Sequence, residues 1–401
     1  MRRYDDKFIH YAAATLLLLG IFSIFSGYTL PRLVYYTVYY PDQVGLLFHA
    51  FKPFVNLGII LLFGGLIYLI LSRGVDLSKI KIKGKKIKTK TFVNFFLWTT
   101  VVLMVIVVLE RFIFHMRFNR WLIGPKHTIL ITGLAITAYY LFLAYEFSKD
   151  RINWPRVIAV SLLFGLLLLM QPDTGTTILL AASFLTLLYV RMPWKVYRWV
   201  FQGLALFVLA MATFSIFNAK LNLQLPNIFS HTAFAHITVR INNWLNPFHD
   251  VTDRSYQIAN SLFAVHKGGL LGVGYGFGTR KLYMGATVHT DFIFATIGEE
   301  LGFITCTFIF IVTLLLIFRL LTISFHFKSR FEKYFTLLVA IETFAMAFMN
   351  AGMAVNLLPS KGWPYPLISY GPFFTVFYII QLGIIQYMLN KKFYEVYGKR
   401  N

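Results

Sequence analysis

The sequence predicts an all-α, polytopic integral membrane protein with about ten transmembrane helices and one long extracytoplasmic loop. Of its 401 residues, 58% are hydrophobic and 13% are charged, and the mean hydropathy is +0.66, well above that of a soluble domain. Apolar runs long enough to cross a hydrocarbon core of about 30 Å recur from end to end. Because these runs leave no room for a separate soluble domain, we expect one membrane domain over residues 1–401.

The apolar runs give the order of the predicted spans. The first run follows "MRRYDDK" and is too long for the core of a signal peptide, so we expect it to remain as the first transmembrane helix. The predicted spans are 9–30, 45–71, 92–114, 128–147, 155–171, 174–190, 199–218, 291–318, 335–357 and 371–389.

The net charge of +22 lies largely in the segments between the spans. If the N-terminus is cytoplasmic, every predicted cytoplasmic segment is rich in Lys or Arg, including the loop at about 72–91, as the positive-inside rule expects. We therefore interpret the lysine run at 79–90 as a topology determinant, with contact to anionic lipid as the alternative. The charge does not indicate nucleic acid as a partner, and we expect both termini in the cytoplasm.

The fifth and sixth spans come from one apolar stretch, residues 156–190, which is too long for a single crossing. The "QPDTG" at 171–175 divides it, because Pro172 has no backbone donor and Asp173 is a good helix N-cap. This pattern predicts two short helices joined by a tight turn. Asp173 is either a helix cap or a residue that faces the substrate.

The loop at about 219–290, which the topology predicts to be extracytoplasmic, is basic. Cations are normally depleted on the outer side, so a basic loop there indicates either an anionic ligand or contact with lipid headgroups. Its glycine series "GGLLGVGYGFG" lacks the strand that precedes a dinucleotide-binding fingerprint, so we exclude that interpretation. The loop cations are Lys220, Arg240, Arg254, Lys267, Arg280 and Lys281, against the acids Asp250 and Asp253.

Carboxylates interrupt the eighth span, in the stretch "HTDFIFATIGEELGF". Acids within a membrane cost several kcal/mol unless they face a polar cavity or a cation, so they are candidates for function. Asp291 is the strongest candidate because it lies at the predicted outer edge, next to the basic loop. Glu299 and Glu300, about 12 Å or more deeper in this span, are either functional or structurally paired. Gly298 and Gly302 form a Gly-x-x-x-Gly pair that predicts close packing against another helix.

Five stretches in the second part of the chain carry a family pattern: "QPDTGTT" at 171, "RINNWLNPF" at 240, "YQIANSLFAVHKGGLLGVGYGFGT" at 256, "HTDFIFATIGEELGF" at 289 and "LLPSKGWPYPLISYG" at 357. Over roughly residues 155–390 the chain resembles the SEDS proteins (shape, elongation, division and sporulation), the FtsW, RodA and SpoVE group of peptidoglycan polymerases. The first third departs from the family, because "NRWLIGPKHTILI" lacks the usual Gln-Pro-Ser-Glu motif. "SYGP" replaces "SYGG", so the sequence is identified as a divergent member.

The resemblance implies a glycosyltransferase that polymerises lipid II into glycan strands at the outer face of the bacterial cytoplasmic membrane, in cell division or elongation. It implies that Asp291 is catalytic, as the base that a weakly acidic sugar hydroxyl requires. Cations would stabilise the undecaprenyl pyrophosphate that leaves. A class B penicillin-binding protein, a transpeptidase, is the implied partner. The candidate substrate-binding residues are Arg240, Lys361, Arg120, Lys126, Asp173, Glu299, Glu300 and Ser369.

Other functions stay open from the sequence alone. A transporter that moves the lipid-linked precursor across the bilayer, a flippase, also uses acids within the membrane. A membrane scaffold without catalytic activity is a third interpretation, because the first third is altered. The sequence establishes no cofactor, and it leaves open a divalent cation, Mg²⁺ or Mn²⁺, which Asp291 and a deeper acid would hold and which would share the pyrophosphate charge.

Overall fold

The structure is a computed structural model. It describes residues 6–32, 44–73, 81–82, 85–86, 89–114, 121–123, 128–192, 199, 202–203, 206, 235–251, 255–284 and 287–397. Most of the predicted seventh span, 199–218, lies outside the described residues, as does most of the loop at 72–91.

The described chain is almost entirely helical. Two short antiparallel hairpins, which the sequence did not predict, pair 81–82 with 85–86 and 121–123 with 128–130. The helices are α1 (Lys7–Ile24, continued by a π-helical turn Phe25–Thr29), α2 (Val44–Ser72), α3 (Thr89–Phe114), α4 (Thr132–Ser148), α5 (Trp154–Met170), α6 (Thr174–Arg191), α7 (Ala235–Leu245), α8 (Tyr256–Gly268), α9 (Ile293–His326), α10 (Arg330–Ala354) and α11 (Pro372–Tyr397), with a 3₁₀ turn at Arg280–Leu282.

Helix α4 lies at the centre of the bundle. It contacts α3, α6, α10 and α11, and it is buried on nearly all sides because apolar residues surround its axis. Helix α9 packs against α1, α8 and α10, and α2 packs against α11. The only acid on α4, Glu146, lies near the end of the helix, where it pairs with Lys149 and Arg156, both at 2.6 Å.

The prediction of an all-α membrane fold is confirmed. Within the described residues, six helices are long and apolar enough to cross a membrane, and two shorter apolar helices accompany them. The count of ten spans stays a prediction. The loop predicted at 219–290 contains α7, α8 and the 3₁₀ turn in its described part.

The predicted break at "QPDTG" is confirmed. Helix α5 ends at Met170 and α6 begins at Thr174. Asp173 is the N-cap of α6, where its carboxylate accepts hydrogen bonds from the Thr176 backbone N–H at 3.3 Å and the Thr176 hydroxyl at 2.8 Å. These bonds satisfy a donor that the first turn of a helix cannot pair internally.

The eighth span differs from its prediction. Helix α9 extends to His326, and its 34 residues would measure about 51 Å, which exceeds a bilayer core. Gly302, with φ of 76°, interrupts it. The Gly298 part of the packing prediction holds, because Gly298 lies against Val265 of α8. Gly302 instead approaches the backbone of residues 270–272, so its role is to break the helix.

Candidate active site

One pocket of about 210 Å³ collects residues from four of the sequence motifs. It is open at one side and its lining is mostly polar. Asp291, Arg240 and Lys361, which the sequence predicted as site residues, all line it. The other lining residues are Asn243, Gln257, Ile258, Phe292, Met353, Ser360 and Gly362.

The backbone around Asp291 is held by two buried side chains. The Asn350 amide of α10 donates to the Asp291 carbonyl at 2.9 Å and to the Trp363 carbonyl at 2.7 Å. The Ser369 hydroxyl donates to the Thr290 carbonyl and accepts from the Tyr365 backbone N–H, both at 2.7 Å. The turn that carries Asp291 is therefore fixed to the loop between α10 and α11.

The Asp291 carboxylate packs directly against Gly362. A Cβ at Gly362 would lie 3.1 Å from Asp291 Cγ and 2.7 Å from Oδ2, and the second distance is closer than real Cβ contacts allow. A side chain at this position would therefore displace the carboxylate. The glycine in "SKGW" thus permits the loop of Lys361 to lie beside Asp291.

Arg240 reaches the pocket because α7 is tied to the loop after α10. The Trp244 indole donates to the Asn356 carbonyl at 3.1 Å, and the Asn356 amide donates to the Trp244 carbonyl at 3.0 Å. Arg240 lies one helical turn before Trp244, so both residues are on the same side of α7. The reciprocal bonds therefore fix the helix that presents Arg240 to the pocket.

Lys361 lies against the start of α6. Its ammonium donates to the Thr174 hydroxyl at 2.7 Å. A Cβ at Gly175 would lie 2.5 Å from Lys361 Cε and 2.0 Å from Trp363 Nε1, so glycine is required at this contact. The "QPDTG" motif therefore both caps α6 and positions the lysine.

His289 is a neutral neighbour of the site. Its ring packs edge-on against Tyr28 and Tyr370, with centroid distances of 4.7 and 5.3 Å. Burial, and then the positive charge of Arg32, lower the pKa of His289 from 6.5 to about 4. At neutral pH this histidine adds no positive charge beside Asp291.

The remaining predicted site residues lie elsewhere or outside the described residues. Glu299 and Glu300 do not line the pocket; they bind residues 267–281, and Glu300 pairs with Lys281 at 2.6 Å. Asp173 caps α6, and the Ser369 hydroxyl bonds to backbone groups. The two residues outside the described residues are Arg120 and Lys126.

A family model describing cell cycle proteins of the FtsW, RodA and SpoVE type matches residues 16–393 of this chain. The chain belongs to the FtsW, RodA and SpoVE family. The resemblance inferred from the motifs is thereby confirmed, and the match extends over the divergent first third as well.

Three similar FtsW proteins bear the name "Probable peptidoglycan glycosyltransferase FtsW". The protein of Pasteurella multocida is 31% identical over 63% of this chain and 61% of its own length. The protein of Haemophilus ducreyi is 32% identical over 66% of this chain and 65% of its own length. The protein of Wigglesworthia glossinidia brevipalpis is 31% identical over 68% of both. The chain thus spans less than two thirds of the length of the first two relatives.

Two solved structures share the fold. A chain from a peptidoglycan synthase complex matches with a TM-score of 0.66 at 19% identity, covering 97% of this chain and 98% of that chain. The rod shape determining protein RodA of Thermus thermophilus matches with a TM-score of 0.59 at 18% identity and the same coverage. At these identities the likeness shows the fold alone.

Sequence reasoning missed the residues that hold the site together. Asn350 is a buried amide within an apolar helix, and that conspicuous position was the available signal. Asn356, with φ of 55°, gave no such signal, because its importance comes from a bond to Trp244, 112 positions earlier. Gln257 lines the pocket from α8 and was also not predicted.

Ser369→Ala tests how the Asp291 turn is positioned. The change leaves the Tyr365 N–H without its acceptor and removes a donor to Thr290, so we expect a loss of about 1–3 kcal/mol of stability. We also expect a lower rate, per folded molecule, of the lipid II polymerisation that the family resemblance implies. Ser183→Ala is the matched control, since Ser183 is buried and hydrogen-bonded far from the pocket. Equal rates for the two folded variants, compared by lipid II assay and thermal melting, would contradict the positioning role.

Proposed function

We propose that this protein is a peptidoglycan glycosyltransferase that polymerises lipid II into glycan strands. The observation that carries the proposal is one pocket holding a carboxylate and two cations, Asp291 with Arg240 and Lys361, from three separate motifs. Membership of the FtsW, RodA and SpoVE family supports it, as do the names of the FtsW relatives. The activity serves cell division or elongation.

Asp291 acts as the general base in this proposal. The acceptor is a sugar hydroxyl, which is too weak an acid to ionise near neutral pH, so a base must accept its proton as the bond forms. A carboxylate at the pocket surface is suited to this step. The tight contact with Gly362 and the bond from Asn350 to the Asp291 backbone restrict where the carboxylate lies.

Arg240 and Lys361 bind the pyrophosphate of the donor glycan. Bond cleavage leaves negative charge on undecaprenyl pyrophosphate, and preorganised cations stabilise that charge as it develops. Arg240 is held through Trp244, and Lys361 through Thr174. The helix that carries Arg240 and the ammonium of Lys361 are therefore already in position before the substrate binds.

A divalent cation, Mg²⁺ or Mn²⁺, is compatible with this pocket as an additional charge-sharing group. No cluster of three His, Cys, Asp or Glu residues occurs in the described part of the chain. Mg²⁺ is commonly held by one or two carboxylates together with substrate phosphates. Asp291 would supply the protein ligand, and the cation would neutralise part of the pyrophosphate charge.

Lipid II in detergent tests the activity directly. The purified protein, alone and with a transpeptidase partner, is expected to produce glycan polymer. The alternative function, a flippase, predicts transfer of labelled lipid II across liposomes with no polymer. The acids Glu299 and Glu300, which motivated that alternative, have cationic partners in Lys267 and Lys281, so they do not require a transport pathway.

The active site faces outward in this proposal. The basic segments predict that residue 80 is cytoplasmic and residue 250 is outside, with both termini in the cytoplasm. In a Cys306→Ser background, a membrane-impermeant thiol reagent applied to intact cells should label a cysteine at 250 and not one at 80. The opposite labelling would overturn the orientation and, with it, polymerisation at the outer surface of the cytoplasmic membrane.

The proposed partner is a class B penicillin-binding protein, whose transpeptidase domain crosslinks the glycan strands. A chain of similar fold occurs in a peptidoglycan synthase complex that coordinates polymerisation and crosslinking. Affinity purification from native membranes should recover such a transpeptidase. Its absence, in a preparation that retains another stable membrane complex, would contradict the proposal.

A further inference from the structure

Residues 269–283, between α8 and the Asp291 turn, form a segment that hydropathy assigns to the outer aqueous loop. We propose that this segment, called the wedge segment, lies within the bilayer, in the leaflet farther from Asp6 at the start of α1. Its exposed apolar side chains contact lipid acyl chains there. This membrane contact is separate from the proposed enzymatic activity.

The depth of the wedge segment in the membrane follows from its distance along α1 and along α9 from one ion pair that joins the two helices. Asp6, the N-cap of α1, pairs with Arg319 of α9 at 2.8 Å, and such charges belong at a membrane boundary. Phe22 on α1 and Phe303 on α9 are each sixteen residues from this pair, or about 24 Å along the helix axis. Both levels lie about 6 Å inside the far boundary of a 30 Å core.

The wedge segment is bonded to both helices at that depth. The Tyr275 hydroxyl donates to the Phe22 carbonyl at 2.7 Å. On the other side, the Phe303 N–H donates to the Gly269 carbonyl at 2.9 Å, and the Ile304 N–H donates to the Leu270 carbonyl at 3.2 Å. The segment therefore bridges α1 and α9 below the predicted membrane surface.

The broken helix supplies the partners that irregular backbone needs in a bilayer. The Val273 and Gly274 N–H groups donate to the Glu299 and Glu300 carbonyls at 2.9 and 3.0 Å. Gly272, with φ of 83°, permits the approach, because a Cβ there would lie 2.2 Å from the Glu300 carbonyl oxygen. Non-helical backbone at membrane depth is tolerated where protein satisfies it in this way.

The side chains of the wedge segment suit the same environment. No residue from 269 to 279 is charged. Of the two cations that follow, the Lys281 ammonium is buried against Glu300 and the Arg280 guanidinium lies over the rings of Phe263 and Tyr283. Leu271 is 79% exposed and Phe277 is 76% exposed, a heavy cost in water for large apolar side chains. Phe303, whose backbone N–H bonds to Gly269, is likewise exposed on α9.

Nitroxide labels measure this contact directly. We would place single cysteines at Leu271 and Phe277 in full-length Cys306→Ser protein, reconstitute it in lipid nanodiscs, and compare collision rates with oxygen and with a water-soluble nickel chelate. Ile311→Cys is the lipid control, because Ile311 is exposed on α9. Asp150→Cys is the water control, because the Asp150 side chain is 95% exposed.

The expected result is frequent collision with oxygen and loss of nickel collisions at both wedge positions, as at Ile311. Nickel collisions as frequent as at Asp150 would overturn the proposal, because the segment would then lie in water. Labels that neither reagent reaches would also overturn it, since a protein surface and not lipid would then cover the segment. None of these outcomes depends on polymerisation activity.

Discussion

Replacing Asp291 with asparagine is expected to lower lipid II polymerisation by about 10² to 10⁴ fold, the usual contribution of a positioned general base. The amide keeps the size that the contact with Gly362 requires but has no basic oxygen. Arg240 and Lys361 stay in place, so the substrate should still bind. The loss is therefore expected in kcat more than in KM, and it would be larger if Asp291 also holds a divalent cation.

The folding of Asp291→Asn should be unaffected, because Asn350 bonds to the Asp291 backbone and not to its side chain. An amide is also cheaper to remove from water than a carboxylate. Asp150→Asn is the matched control: it makes the same chemical change at an exposed acid and should leave the rate unchanged. Near-parental polymerisation by a well-folded Asp291→Asn protein would show that Asp291 is not the general base.

Much of the bundle was predictable because its signals are local. A helix of about twenty apolar residues satisfies its own backbone in lipid, so hydropathy alone reveals it. The break between α5 and α6 was equally accessible, since Pro172 and Asp173 act within one turn.

The break in α9 was not predictable by the same reasoning. Gly302 in an apolar run indicates helix packing, and only the backbone of residues 269–274, some thirty positions earlier, makes a φ of 76° favourable there. The sequence left Glu299 and Glu300 as either functional or structurally paired, and only the break shows their surroundings: they lie on the short arm before it, where they bind the preceding loop.

The residues of the candidate site also fall into two groups, those that the sequence reveals and those that only the fold reveals. Asp291 was a candidate from the sequence because an acid in an apolar run is costly in a membrane unless a cation or a polar cavity compensates it. Asn350, Trp244 and Asn356 act through backbone carbonyls that no side-chain pattern reveals. Motif resemblance identified Arg240 and Lys361, but their convergence on one pocket required the fold.

Breaking the buried pair of Lys281 and Glu300 is expected to be the most destabilising change outside the pocket. The two side chains are each 4% exposed and 2.6 Å apart. The Lys281 ammonium also donates to the Ser26 and Gly276 carbonyls at 3.2 and 3.0 Å, and the Ser26 hydroxyl donates to Glu300. The pair thus fastens the wedge segment to α1 and α9 at once.

Lys281→Met and Glu300→Gln should each lower the free energy of unfolding by about 3 to 5 kcal/mol, because each leaves a buried charge without its counterion. The double variant should lose much less unfolding free energy than the sum of the two single losses, since it leaves neither charge unpaired. A double-mutant cycle, measured by denaturation in detergent, gives this coupling energy. Arg330 and Asp150, an exposed pair at 2.8 Å, form the control cycle, with a coupling of about 0 to 1 kcal/mol expected. Strictly additive losses at Lys281 and Glu300 would show that the two charges are compensated separately, by Ser26, Gly276 or water, and that their contact does not hold the wedge segment in place.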